Sequence, residues 1–180
     1  MKRHVVDTNV LIVASGEHPA SPFASDKHPV EDPDQAEKVL QWLLNFANSS
    51  DRVLLDFDQE IFKEYRNKLT EQDYGHRVII DKISAGEVDY IDVEWIDDPS
   101  HPDPVAKLPS TLQSVIHDLA DTKMVAACIS GKSSGLDNTV MNACDTDWYD
   151  WEIELKAHGV IVEQVIDAWL RVKWQAHHDR

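Results

Sequence analysis

Asp7 and Asp145 are the first residues in this chain whose types and surroundings suggest chemistry. Each closes a short apolar run, His4 to Val6 and Thr139 to Ala143, and each opens a small polar cluster, Asp7-Thr8-Asn9 and Asp145-Thr146-Asp147. Two further acidic pairs lie one turn apart in helical contexts, Glu60 with Glu64 and Asp118 with Asp121. Carboxylates gathered from such distant positions repel one another unless a cation joins them, and Mg²⁺ or Mn²⁺, which prefer hard oxygen ligands, suit that role. The reaction that most needs such ions is phosphodiester hydrolysis. There they activate a water, neutralise charge building on the phosphate and, as a pair about 3.5–4 Å apart, hold both the attacking and the leaving oxygen.

Each acid also has a plainer reading. Asp7 could cap the helix that follows it, and Asp147 could cap a helix starting at Trp148 or serve a second ion. Asn9 could orient a metal-bound water or simply cap, and Asp118 could cap its helix or bond to a ligand rather than to the ion. The nine histidines form no metal motif, and the tryptophans at helical spacing read as core. Trp148, beside Asp145, is the one that reads as a substrate contact.

The elements that must position these acids follow from hydrophobic periodicity. Residues 4–6 read as a buried strand ending at Asp7, with a helix just after it, and 16–33, with four prolines, as a surface excursion that could form a flap. A helix carries Ala36, Val39, Leu40, Leu43, Leu44 and Ala47, with Asp32 or Asp34 to cap it. Arg52 to Asp56 reads as a second buried strand. Asp58 then caps a helix to about Leu69 with Phe57, Ile61 and Tyr65 inward. A helix over 75–85 precedes an alternating edge strand over 87–96, and a loop over 97–109 holds the other four prolines. A helix with Leu119, Ala120, Met124, Ala127 and Cys128 inward leads to the strand at 139–143. A helix over 148–157 closed by Gly159, a strand over 160–162 and a final helix at about 164–175, with Val165, Ala168, Trp169 and Val172 inward, complete the chain.

Strands alternating with helices predict an α/β fold, a three-layer α/β/α sandwich whose central, mainly parallel sheet has about five strands, all within one domain over 1–180. In such sheets ligands bind where the carboxyl ends of the strands open into a crevice, so Asp7 and Asp145 are predicted to converge. Cys128 and Cys144 sit in apolar stretches without paired metal spacing and read as buried free thiols. Together with the absence of a leader or spanning apolar run, they predict a cytoplasmic protein with no membrane contact. A net charge of −16 argues against strong autonomous binding of nucleic acid and fits both a metal-binding cluster and a solubilising surface.

The run Val5-Val6-Asp7-Thr8-Asn9-Val10-Leu11-Ile12 resembles the opening strand of PIN-domain nucleases, whose first metal-binding aspartate stands at the place of Asp7. Glu64 in Ile61-Phe62-Lys63-Glu64-Tyr65 is similar to the family's helix-borne glutamate, Asp121 in Asp118-Leu119-Ala120-Asp121-Thr122-Lys123 to its third acid, and Asp145 in Asn142-Ala143-Cys144-Asp145-Thr146-Asp147-Trp148 to its fourth. The resemblance covers roughly residues 3 to 163. It implies a catalytic metal set of Asp7, Glu64, Asp121 and Asp145 holding Mg²⁺ or Mn²⁺, to which the residues read above could add Asp147 as a further ligand and Asn9 and Asp118 behind the set. It further implies a metal-dependent endonuclease acting on RNA ahead of DNA, in a toxin or anti-phage setting, with an inhibitor protein, an ATPase or a second copy of the chain as partner. The rival reading is a catalytically silent scaffold whose acidic surface docks a basic protein. The Pro-rich excursion and the acidity depart from compact members of the family and bear on substrate and partner.

Overall fold

The chain runs β1 (Arg3–Val6), α1 (Thr8–Glu17), α2 (Pro33–Ala47), β2 (Arg52–Asp56), α3 (Glu60–Lys68), α4 (Tyr74–Ser84), β3 (Val88–Ile91), β4 (Trp95–Ile96), β5 (Val105–Ala106), α5 (Ser110–Gln113), α6 (Leu119–Ser133), β6 (Asn138–Asn142), α7 (Asp147–Asp150), α8 (Glu152–Ala157), β7 (Val162–Gln164) and α9 (Asp167–His178) in the computed structural model, which describes residues 1–18, 21 and 29–179. Five strands form one parallel sheet in the order β3-β2-β1-β6-β7. Helices flank it, giving the three-layer α/β/α sandwich expected from the alternation of elements. β1 is central, so Val5 and Val6 are fully buried, and its neighbours β2 and β6 are buried along almost their whole length. No helix among the described residues is long and apolar enough to cross a membrane.

The strand order reverses at β1, which pairs with β2 on one side and β6 on the other, through His4 with Val53 and Val6 with Met141. Open parallel sheets form their ligand crevice at such a reversal, beyond the carboxyl ends of the strands. Asp7 stands at that end of β1 and Asp145 just past β6. α1 and α6, which start beside these ends, are buried on most of their surface rather than on one stripe. α1 lies against α2, α3 and α4, and at Gly75 of α4 an added Cβ would come 2.6 Å from the Leu11 carbonyl oxygen. The glycine is what lets these two helices touch.

Lys82 is 2% exposed, yet its ammonium is compensated: Nζ donates to the carbonyls of Ser49 and Asp51 at 2.7 and 2.8 Å and to Oε2 of Glu87 at 2.7 Å, over the Phe46 ring. The amine ties α4 to the turn before β2 and to the start of β3. A buried charge is tolerated only with such a full set of partners.

Several local expectations are corrected. Phe57 is 61% exposed rather than inward, because Asp56, fully buried, turns its carboxylate back to accept from Glu60 N and Ile61 N at 2.9 and 2.8 Å. That turn, with Gln59 at φ 65°, swings Phe57 out against Tyr90, and Asp58 accepts from Trp95 Nε1 at 2.7 Å instead of capping α3. The expected edge strand over 87–96 splits. Only β3 joins the main sheet, while β4 pairs antiparallel with β5 inside the proline-bearing loop. The helix over 148–157 is two helices that meet at Trp151. The last strand begins at Val162, since Val160 N is spent on the Leu155 carbonyl across Gly159, whose φ of 73° closes α8. In α9 the inward residues are Leu170 and, partly, Trp169; Ala168 is exposed and Val172 is 65% exposed, because Ile166 and Leu170 set the buried side. Of the excursion expected over 16–33, residues 19, 20 and 22–28 lie outside the described residues; α1 takes in its start, and Asp32 caps α2 over Pro33.

Candidate metal centre

Asp7 ends the extended run of β1 and is the N-cap of α1: Oδ1 accepts from Asn9 N at 3.0 Å, and Oδ2 accepts from Trp148 Nε1 at 2.8 Å. Asp121 lies in the first turn of α6, whose cap is Asp118, accepting from Ala120 N at 2.8 Å. Asp145 sits in the β6–α7 connection, where Oδ1 accepts from Asp147 N at 2.9 Å. One oxygen from each of Asp7, Asp121 and Asp145 falls within 4.8 Å of the others. The first two residues are buried and the third half-buried. The convergence expected at the carboxyl ends of the strands is therefore present, with a member from α6.

Two asparagines fix this geometry. Asn9 Nδ2 donates to Asn142 Oδ1 at 2.8 Å, and Asn9 Oδ1 accepts from Ala143 N at 2.9 Å, which locks the start of α1 to the end of β6. Asn142, fully buried, donates to the Asp145 carbonyl at 2.8 Å and to Gln164 at 2.6 Å, and accepts from Asp145 N at 3.2 Å. Tyr65, fully buried, donates its hydroxyl to the Val6 carbonyl and thereby anchors α3 beside Asp7.

Electrostatically the cluster is uncompensated. Among the described residues no lysine, arginine or histidine nitrogen pairs with Asp7, Asp121 or Asp145, whereas many surface acids have such a partner. Burial, opposed by the bonds from Asn9 and Trp148, pushes the Asp7 carboxyl up to about 7. Burial and then the charges of Asp7 and Asp118 push Asp121 up to about 9, and Asp145 is raised chiefly by burial. Three acids that cannot comfortably ionise together form a good site for a hard cation, because a divalent ion removes the repulsion that holds their protons on. Thr8, which lines the same cleft of about 530 Å³, adds a buried hydroxyl with no hydrogen-bond partner.

The other expected residues are placed unequally. Glu64 lines the cleft but contributes no oxygen to the triad; its Oε2 lies 3.7 Å from Nζ of Lys123 on α6. Glu60 does not line the cleft and lies 3.8 Å from Lys63. Asp147 is exposed, follows the cap Thr146 in α7, and meets Asp145 through its backbone. Asn9 and Asp118 line the cleft, Asn9 as a strut and Asp118 as a helix cap. Trp148, read from sequence as a substrate contact, is 1% exposed and bonded to Asp7. Sequence reasoning missed Asn142 and Lys123. The available signals were an amide just before the Asp145 cluster and a lysine two residues after Asp121 among the apolar residues of that helix. Cys128 is buried and Cys144 half-buried; both are free thiols that burial pushes up to about 12.

Compared with protein-family models, characterised proteins and solved structures, the chain matches none.

Proposed function

We propose that the chain is a divalent-metal-dependent nuclease of the PIN type, with Asp7, Asp121 and Asp145 as the ligands of Mg²⁺ or Mn²⁺. The observation that carries this reading is the uncompensated triad: carboxylates just past β1, in the first turn of α6 and in the connection after β6, one oxygen of each within 4.8 Å of the others at the reversal point of a parallel sheet. The donor set fits the ion, since all three are hard oxygens, and burial raises all three carboxyls, a strain that a bound cation would relieve. Bound there, the ion supplies Lewis-acid activation of water and neutralises charge on a phosphodiester in the transition state.

The chain's own residues would do the rest. Asp7, Asp121 and Asp145 orient the ion, and the Asn9–Asn142 pair holds their spacing. Lys68 and His117, which also line the cleft, offer a cation and a hydrogen-bond donor to substrate phosphates. The Glu64–Lys123 pair balances the charge of Glu64 beside the triad. By the resemblance the substrate is RNA ahead of DNA, in a toxin or defence setting in the cytoplasm. The charge of −16 favours an activating, inhibiting or ATPase partner over unaided capture of a strand. The test is cleavage of labelled single-stranded RNA and DNA with Mn²⁺, Mg²⁺ or EDTA, comparing the wild type with Asp7→Asn and Asp145→Asn. Metal-dependent cutting that both substitutions abolish supports the nuclease and names its substrate. Mn²⁺ binding without cutting points to a missing partner, and no binding at all makes the scaffold reading the leading one.

A further inference from the structure

We propose that Trp148 is a positioning residue of this centre, and that α7 is the bracket that sets the separation of two ligands that follow different strands. The inference rests on the metal-centre reading above. Trp148 is 1% exposed, and its indole meets Trp151 edge-on with ring centroids 5.5 Å apart, so packing fixes the direction of its N–H. That N–H donates to Oδ2 of Asp7 at 2.8 Å while Oδ1 accepts from Asn9 N, which fixes the carboxylate plane. Each oxygen spends one acceptor direction on the protein and keeps another for a cation, since an ionised carboxylate offers about four. The residue before it, Asp147, donates its backbone N–H to Oδ1 of Asp145. Consecutive residues of α7 thus hold a ligand at the end of β1 and a ligand beyond β6. Without those donors, mutual repulsion would turn the Asp7 carboxylate away from its neighbours. Thr8, whose buried hydroxyl has no hydrogen-bond partner, lines the same cleft.

Trp148→Phe tests the proposal, because it removes the donor while keeping an aromatic ring in the core, with Trp151→Phe as the control that makes the same loss of ring volume and leaves the Asp7 bond intact. The readouts are Mn²⁺ affinity by calorimetry and the change in tryptophan fluorescence on adding Mg²⁺. Trp148→Phe is expected to bind Mn²⁺ about 10–100-fold more weakly, the range typical of lost bonds to metal ligands, and to lose the fluorescence response. Trp151→Phe is expected to keep both. Wild-type affinity in Trp148→Phe, or a response that survives there and vanishes in Trp151→Phe, overturns the positioning role alone. A wild-type protein that takes up no Mn²⁺ overturns the metal centre and this role together. If Trp148→Phe melts early, the indole N–H nuclear magnetic resonance of wild-type Trp148 carries the test. It is expected to shift as Mg²⁺ binds, and an unmoved resonance with metal bound overturns the proposal.

Discussion

Glu64 and Lys123 face each other across α3 and α6, with Oε2 and Nζ 3.7 Å apart and both side chains largely buried. The glutamate that the family resemblance nominates as a metal ligand is thus already charge-paired, while the three aspartates beside it are not. Glu64→Gln is therefore expected to lower Mn²⁺ affinity by less than about 10-fold, whereas Asp7→Asn, Asp121→Asn and Asp145→Asn each lower it by more, the smallest loss usual for a partner behind a ligand being about 10-fold. Calorimetric titration of the four variants checks this. A Glu64→Gln loss as large as the aspartate losses would mean that the side chain leaves Lys123 to join the ion.

The raised carboxyls make metal-free stability depend on pH in a definite direction. Unfolded aspartates titrate near 3.9, whereas Asp7 and Asp121 hold their protons up to about 7 and about 9. Between those limits the folded state binds more protons than the unfolded one, so stability falls as pH rises. Their favourable contribution is complete below about pH 4 and gone once pH has passed the higher folded value. In EDTA the melting temperature is expected to fall from pH 5 to pH 9, with Mg²⁺ restoring it at the alkaline end. Asp121→Asn is expected to flatten the slope. Thermal melts across that range decide it, and a slope of opposite sign would sink the account.

Lys82→Met is expected to cost about 1–3 kcal/mol, because it leaves the Ser49 and Asp51 carbonyls without their donor while keeping the volume of the side chain. Urea denaturation measures the loss, and unchanged stability would show that water replaces the ammonium without penalty.

Gly75→Ala is expected to destabilise by about 1–3 kcal/mol, as overpacking does, since the new methyl would stand 2.6 Å from the backbone oxygen of Leu11. The same substitution at Gly86, where nothing lies within 4 Å, carries only the strain of its φ of 73° and serves as the comparison. Chemical denaturation of the pair separates the helix contact from backbone strain.

The alternation of apolar strands with amphipathic helices was enough to give the α/β class, the parallel sheet and the placement of Asp7 and Asp145 at strand ends. Those properties follow from local pattern, because a period of two or of 3.6 residues is written in consecutive side chains. Elements that depend on partners were read less well. The strand over 87–96 split because β4 found β5, and Val160 left the last strand because the end of α8 claimed its N–H. Phe57 turned outward because Asp56 reached back to cap α3.

By itself the sequence determined the fold class and nominated the acids, since a carboxylate after a buried strand is visible in the chain. Only the tertiary structure decided which acids share a centre. Distance and charge compensation belong to pairs brought together from afar: Asp121 joins Asp7 and Asp145, Glu64 is taken up by Lys123, Asp147 turns to solvent, and Trp148 becomes a donor to Asp7 across 141 positions. A side chain's type fixes the bonds it can make, but its surroundings fix which of them it does make, and those surroundings exist only once the sheet has closed around β1.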